Sequence, residues 1–67
     1  MLQEKGQEQM ELPKDSMMLL SVINTKLRDF YPTLDALCED MNVDRAAVES
    51  QLKQIDYVYN AELNRFV

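Results

Sequence analysis

The 67-residue chain carries twelve acidic and seven basic side chains, one cysteine, one glycine and no histidine, for a net charge of −5. This length has room for one small domain, which buries only about 60% of the surface that its unfolded chain exposes. No histidine is present to act as a base or zinc ligand, and the core is too small to shape a deep substrate pocket. We therefore expect no enzymatic activity and no bound cofactor.

The distribution of charge and the cysteine count indicate where the protein works. Residues 33–67 contain seven acids and three bases, so the negative charge is concentrated in the C-terminal half. The lone Cys38 cannot form an internal disulfide, which favours a reducing compartment. The longest apolar run, residues 17–20, is too short to be a transmembrane or signal segment. We expect a soluble cytoplasmic protein with no membrane association.

Residues 1–11 are polar and show no periodicity, so they are predicted to form a disordered lead-in to a domain at residues 12–67. Met10 offers a second translation start, because Lys5-Gly6 and Gln7-Glu8 can be encoded by purine-rich, ribosome-binding-like codons. Two alternatives remain for residues 1–9. They are either a genuine extension or no part of the natural product.

The first predicted helix runs from about Met17 to Phe30. Asp15 or Ser16 can accept from the free amides of its first turn, and Pro32 stops it. The apolar side chains recur at helical spacing and predict one buried stripe. That stripe comprises Leu20, Ile23, Leu27 and Tyr31, widened by Leu19, Val22 and Phe30.

Two short helices follow. Thr33 is the predicted N-cap of the second, Asn42 takes the left-handed conformation that ends it, and Asp44 caps the third, which ends at Asp56. Both helices carry an apolar stripe. The inward side chains are Leu34, Leu37, Cys38 and Met41 in the second helix and Val48, Leu52 and Ile55 in the third.

The periodicity changes after the third helix. Residues 57–59 alternate and favour a strand, residues 60–63 supply a turn, and residues 64–67 can return as a second strand. The sequence thus predicts a mostly α, three-helix, helix-turn-helix-like domain with a short C-terminal β-hairpin in the position of a wing. Tyr57, Tyr59 and Phe66 are expected to close the core rather than to stack on single-stranded nucleic acid.

A helix-turn-helix pattern raises the question of DNA binding. The outward residues of the third helix that can contact nucleic acid are Arg45, Ser50, Lys53 and Gln54. Asp44 and Glu49 would face the phosphates unfavourably, and the second helix adds further acids. We therefore favour a non-catalytic interaction domain and keep a DNA-binding regulator as the alternative.

Two surfaces are candidates for partner binding. Met17 and Met18 widen the apolar stripe of the first helix beyond what the other elements cover, which favours a homodimer. Asn24, Lys26 and Arg28 belong to a dense polar stretch. They form either a patch that grips an acidic partner or a solvated face in which Asn24 bonds a neighbouring segment.

The remaining chemical groups favour structural roles. Cys38 lies on an apolar stripe and is expected to be inert core rather than a redox thiol. Asp35, Glu39, Asp40 and Asp44 lack the ligand spacing and glycine turn of a calcium loop, so we expect a solvated acidic face and no metal site.

The motifs at residues 12–15 (LPKD), 24–29 (NTKLRD) and 34–40 (LDALCED) resemble a family of very small bacterial proteins classed as a domain of unknown function. The resemblance covers residues 10–67. The chain departs from the family pattern at Ser16, where proline is common, and at Asp56, where glycine would end the third helix. The resemblance implies no activity, cofactor or partner.

Overall fold

Three helices and a two-stranded antiparallel hairpin follow one another along the chain. This confirms the predicted mostly helical fold with a short C-terminal hairpin. In the order in which they occur, the elements are α1 (Ser16–Asp29), α2 (Leu34–Met41), α3 (Arg45–Lys53), β1 (Tyr59–Asn60) and β2 (Arg65–Phe66).

The computed structural model describes residues 12–67. The lead-in predicted at residues 1–11, with the alternative start at Met10, lies outside the described residues. None of the three helices within the described part of the chain is long and apolar enough to cross a membrane.

Each helix begins at a side chain that accepts a hydrogen bond from an otherwise unpaired amide. Asp15 Oδ1 accepts from the amide of residue 17 at 3.2 Å. Thr33 Oγ1 accepts from the amide of residue 36 at 3.0 Å, and Asp44 Oδ1 from that of residue 46 at 3.1 Å. The predicted caps are confirmed, because a short polar side chain just before an apolar stripe is a strong local signal.

Two helices end through a left-handed residue. Asn42, with φ 58°, follows α2, and Asp56, with φ 67°, lies at the turn after α3. In both turns the amide of the next residue donates to a carbonyl five positions earlier at 3.0 Å. That pattern satisfies helix carbonyls that would otherwise lack a donor. The predicted conformation of Asn42 is confirmed.

The core lies where the three helices and β2 meet. Among residues 12–67, all fully buried side chains are apolar. One predicted member of the stripe is wrong: Phe30 is 71% exposed, because α1 ends at Asp29 and Phe30 turns away from the core. The buried residues are Leu19, Leu20, Ile23, Leu27, Leu34, Leu37, Cys38, Met41, Val48, Leu52 and Phe66.

The hairpin supplies the last wall of this core. Tyr59 lies opposite Phe66 in the hairpin. The next pair along the ladder is Val58 and Val67, whose backbones exchange two hydrogen bonds of 3.0 Å. The ring of Phe66 is 2% exposed and its centroid lies 5.6 Å from that of Tyr59. Burial of Phe66 and packing of Tyr57 and Tyr59 against the core confirm the expectation that these aromatics close it.

Candidate functional site

The first turn of α1 presents two uncovered methionines. Met17 is 55% exposed and Met18 is 58% exposed. β2 approaches this end of α1, because Asn64 bonds to the C-terminal part of the helix while Phe66 bonds to its middle. The first turn of α1 therefore exposes two adjacent apolar side chains.

Asn24 joins α1 to the edge of β2. Its Oδ1 accepts from the Phe66 amide at 2.8 Å, and its Nδ2 donates to the Phe66 carbonyl at 3.2 Å. A side-chain amide thus occupies the two backbone groups that face away from β1, as a third strand would. This confirms that Asn24 bonds a neighbouring segment, and both atoms of its amide are engaged within the domain.

Lys26 and Arg28 point to different surroundings. The Nζ of Lys26 lies 5.9 Å from the centroid of the exposed Phe30 ring. Arg28 donates from Nε and Nη2 to the two carboxylate oxygens of Asp29, at 2.9 and 3.0 Å. This contact raises the pKa of Arg28 and lowers that of Asp29. Exposed pairs of this kind contribute little to stability, so the guanidinium remains accessible to a ligand.

Arg45, the first of the predicted nucleic-acid contacts, is held by the protein itself. Its Nη1 donates to Asp35 at 2.6 Å and its Nε to Glu49 at 3.3 Å, while the guanidinium lies 5.6 Å from the centre of the Tyr59 ring. The Asp35 hydrogen bond raises the pKa of Arg45. Two carboxylates therefore balance this cation, and it ties α2, α3 and β1 together.

The other three predicted contacts lie on the outer surface of α3 or just beyond it. Ser50, Lys53 and Gln54 are exposed. Between them, Gln51 donates to the carbonyl of Lys14 at 2.7 Å, so the segment before α1 is fastened to α3. Among residues 12–67, Lys53 has no carboxylate within 4.0 Å.

Cys38 is buried and belongs to the core. Burial shields the thiol from solvent and raises its pKa, so the thiol stays protonated. In the part of the chain that the structure describes, no group of three or more histidine, cysteine, aspartate or glutamate side chains is placed to hold a metal ion.

A groove of about 470 Å³, which we call the α1–hairpin groove, separates the second half of α1 from the turn of the hairpin. Arg28 stands on one wall and Arg65 on the other, with the exposed Leu63 beside Arg65. The sequence patterns did not single out Arg65, because it lies 37 positions from Arg28 and nothing local connects them. The groove is lined by Asn24, Thr25, Arg28, Leu63, Asn64 and Arg65.

Comparison with known proteins identifies the family. Residues 13–66 match the family model described as Domain of unknown function (DUF4250). The chain belongs to this family. The resemblance to a domain of unknown function is thus confirmed, and the matched span includes the apolar end of α1, the outer surface of α3 and the α1–hairpin groove. No curated protein and no solved structure matches the chain.

The description of the family names no activity. Three surfaces of this DUF4250 domain differ in chemistry: an apolar end of α1, a polar face of α3, and a groove with an arginine on each wall. Each favours a different class of partner.

Proposed function

We propose that this domain is a non-catalytic interaction module of the cytoplasm that self-associates through the N-terminal end of α1. The observation that carries the proposal is the exposure of more than half of each methionine side chain at Met17 and Met18. Methionine is flexible and polarisable, and it adapts readily to a surface that it meets. Contiguous exposed apolar side chains favour an interface.

A second copy of the chain is the partner that this surface fits best. In a two-fold contact the same patch meets itself, so apolar side chains at its centre face apolar side chains. The border of the patch carries one base and one acid, Lys14 and Asp15, both exposed. These two charges cancel, so this border adds no net charge to the contact, although the whole chain carries −5.

Replacing Met17 and Met18 together by glutamine tests self-association. We expect the wild-type protein to shift from monomer to dimer as its concentration rises, and the double variant to dimerise at least about tenfold more weakly, a loss of about 1.4 kcal/mol. Sedimentation equilibrium or light scattering across a concentration series measures this. Leu63→Gln is the matched control, because Leu63 is 56% exposed and lies at the other end of the hairpin.

Two results would contradict self-association through α1. One is a wild-type protein that stays strictly monomeric up to about 1 mM, the weak end of the affinity range. The other is a dimer that Leu63→Gln weakens as much as the double methionine variant does.

DNA binding is the second candidate, and the exposure of Ser50 and Lys53 on α3 and of Gln54 just after it favours it. A recognition helix reads base edges with polar side chains of this kind. The internal neutralisation of Arg45 and the net charge of −5 work against it. We therefore expect no shift of duplex DNA in a mobility assay at about 0.15 M salt. Tight binding that weakens steeply with salt, and that Lys53→Gln reduces, would reverse the ranking.

A further inference from the structure

We propose that the α1–hairpin groove binds an acidic, extended segment of a partner protein. The proposal does not depend on self-association, because the groove lies at the second half of α1 whereas the methionines occupy its first turn. The groove combines positive charge, a fixed floor and an apolar wall.

The groove is a positive region on an acidic protein. Its two walls contribute Arg28 and Arg65, and the lining residues include no acid. Within residues 12–67, Arg65 has no carboxylate within 4.0 Å. Arg28 has one partner, Asp29, through an exposed contact on the same helix that leaves Nη1 without an acceptor among the described residues. Both guanidinium groups can therefore bind carboxylates, for which their planar fork is well suited.

The floor of the groove is fixed before any ligand arrives. Asn64 donates from Nδ2 to the carbonyls of Leu27 and Tyr31, at 3.1 and 2.9 Å, and Asn24 holds both backbone groups of Phe66. These hydrogen bonds clamp the hairpin to α1 at both ends of the groove. The backbone positions from which the two arginines extend are thus set by the fold, which reduces the ordering cost of binding.

The dimensions and the apolar wall favour a peptide over a small anion. A groove of about 470 Å³ is several times larger than one carboxylate, and its open side admits a continuous chain. Leu63, 56% exposed, stands beside Arg65 and offers contact for an aliphatic side chain. A segment that carries both acidic and aliphatic residues offers a partner for the arginines and for Leu63.

The test is fluorescence anisotropy with the full-length protein and a labelled seven-residue peptide of alternating glutamate and leucine. We expect saturable binding that weakens as salt is raised from about 0.05 M to about 0.3 M. Arg65→Gln and Arg28→Gln are each expected to weaken binding about tenfold, since each removes one charge-assisted contact. Lys53→Gln, which removes an exposed cation outside the groove, is expected to change affinity less than about twofold.

Further arms distinguish the groove from general charge attraction. A glutamine–leucine peptide of the same length should not bind, and inorganic phosphate should displace the acidic peptide only at far higher concentration. The proposal is overturned by the absence of saturable binding up to about 1 mM, by an equal effect of Lys53→Gln and Arg65→Gln, or by phosphate that competes as well as the peptide. Circular dichroism of the three variants verifies that each is folded, and failed dimerisation would leave this readout unaffected.

Discussion

Truncating Phe66 to alanine is expected to lower the free energy of unfolding by about 3–5 kcal/mol, as is typical of a buried aromatic. The ring is 2% exposed, packs against Tyr59 and closes the core between the helices and the hairpin. At about 0.05–0.15 kcal/mol per residue, a domain of this size has a total stability of about 3–10 kcal/mol. The variant should therefore lose at least about a third of its stability and should be unfolded at room temperature if the wild type lies at the lower end of this range. Urea titration monitored by circular dichroism measures the loss.

Two companion variants separate loss of the ring from general damage. Phe66→Leu keeps much of the buried volume and should cost less than about 2 kcal/mol. Leu63→Ala truncates an exposed side chain in the same hairpin and should change stability by less than about 0.5 kcal/mol. If Phe66→Ala cost as little as Leu63→Ala, the hairpin could not be packed on the helices as the structure shows.

The helix boundaries could be predicted because their causes lie within a few residues. Thr33 and Asp44 each accept from an amide two or three positions ahead. Asn42 adopts the left-handed conformation that a short polar side chain tolerates. In each case the residue type and its neighbours determine the geometry, so periodicity and capping preferences suffice. The same reasoning is weaker where a helix ends: Phe30 has helical spacing, yet the chain leaves the helix one residue before it.

The contacts that orient the hairpin could not be predicted in the same detail. Asn24 and Phe66 are 42 positions apart, and Asn64 reaches a helix carbonyl 37 positions away. Sequence spacing indicates that Asn24 is polar on a mostly apolar helix and so needs a partner, but not which backbone groups supply it. These pairings depend on how the distant hairpin turn folds back onto α1. The spacing of residues in the sequence does not indicate that.

The same distinction between local and distant contacts applies to the candidate surfaces. Exposure of Met17 and Met18 follows from their position beside the buried stripe, so periodicity was enough to single them out. Periodicity places Arg45 on the outer face of α3. It does not indicate that Asp35, on a different helix, balances the charge of Arg45. Arg65 joins Arg28 in one groove only after the hairpin folds back along α1.

The second large effect is expected at Asn64, whose side chain makes three hydrogen bonds across the fold. Its Nδ2 donates to two carbonyls at the end of α1, and its Oδ1 accepts from the Tyr59 hydroxyl at 2.7 Å. That hydroxyl in turn accepts from the amide of Leu34, in the first turn of α2, at 3.2 Å. Asn64→Ala removes all three bonds and should cost about 2–4 kcal/mol, because half-buried carbonyls lose their donor.

Backbone conformation adds a second cost that a glycine variant can isolate. Asn64 has φ 56°, a left-handed geometry that alanine adopts at about 1–2 kcal/mol and glycine adopts freely. Asn64→Gly should therefore be more stable than Asn64→Ala by about 1 kcal/mol, while remaining less stable than the wild-type protein. Urea midpoints of the three proteins give this order directly. Equal stability of the glycine variant and the wild type would mean that the side-chain bonds contribute no more than the backbone relief that glycine brings. In that case the hairpin would be held mainly by its turn, by Phe66 and by the Asn24 hydrogen bonds.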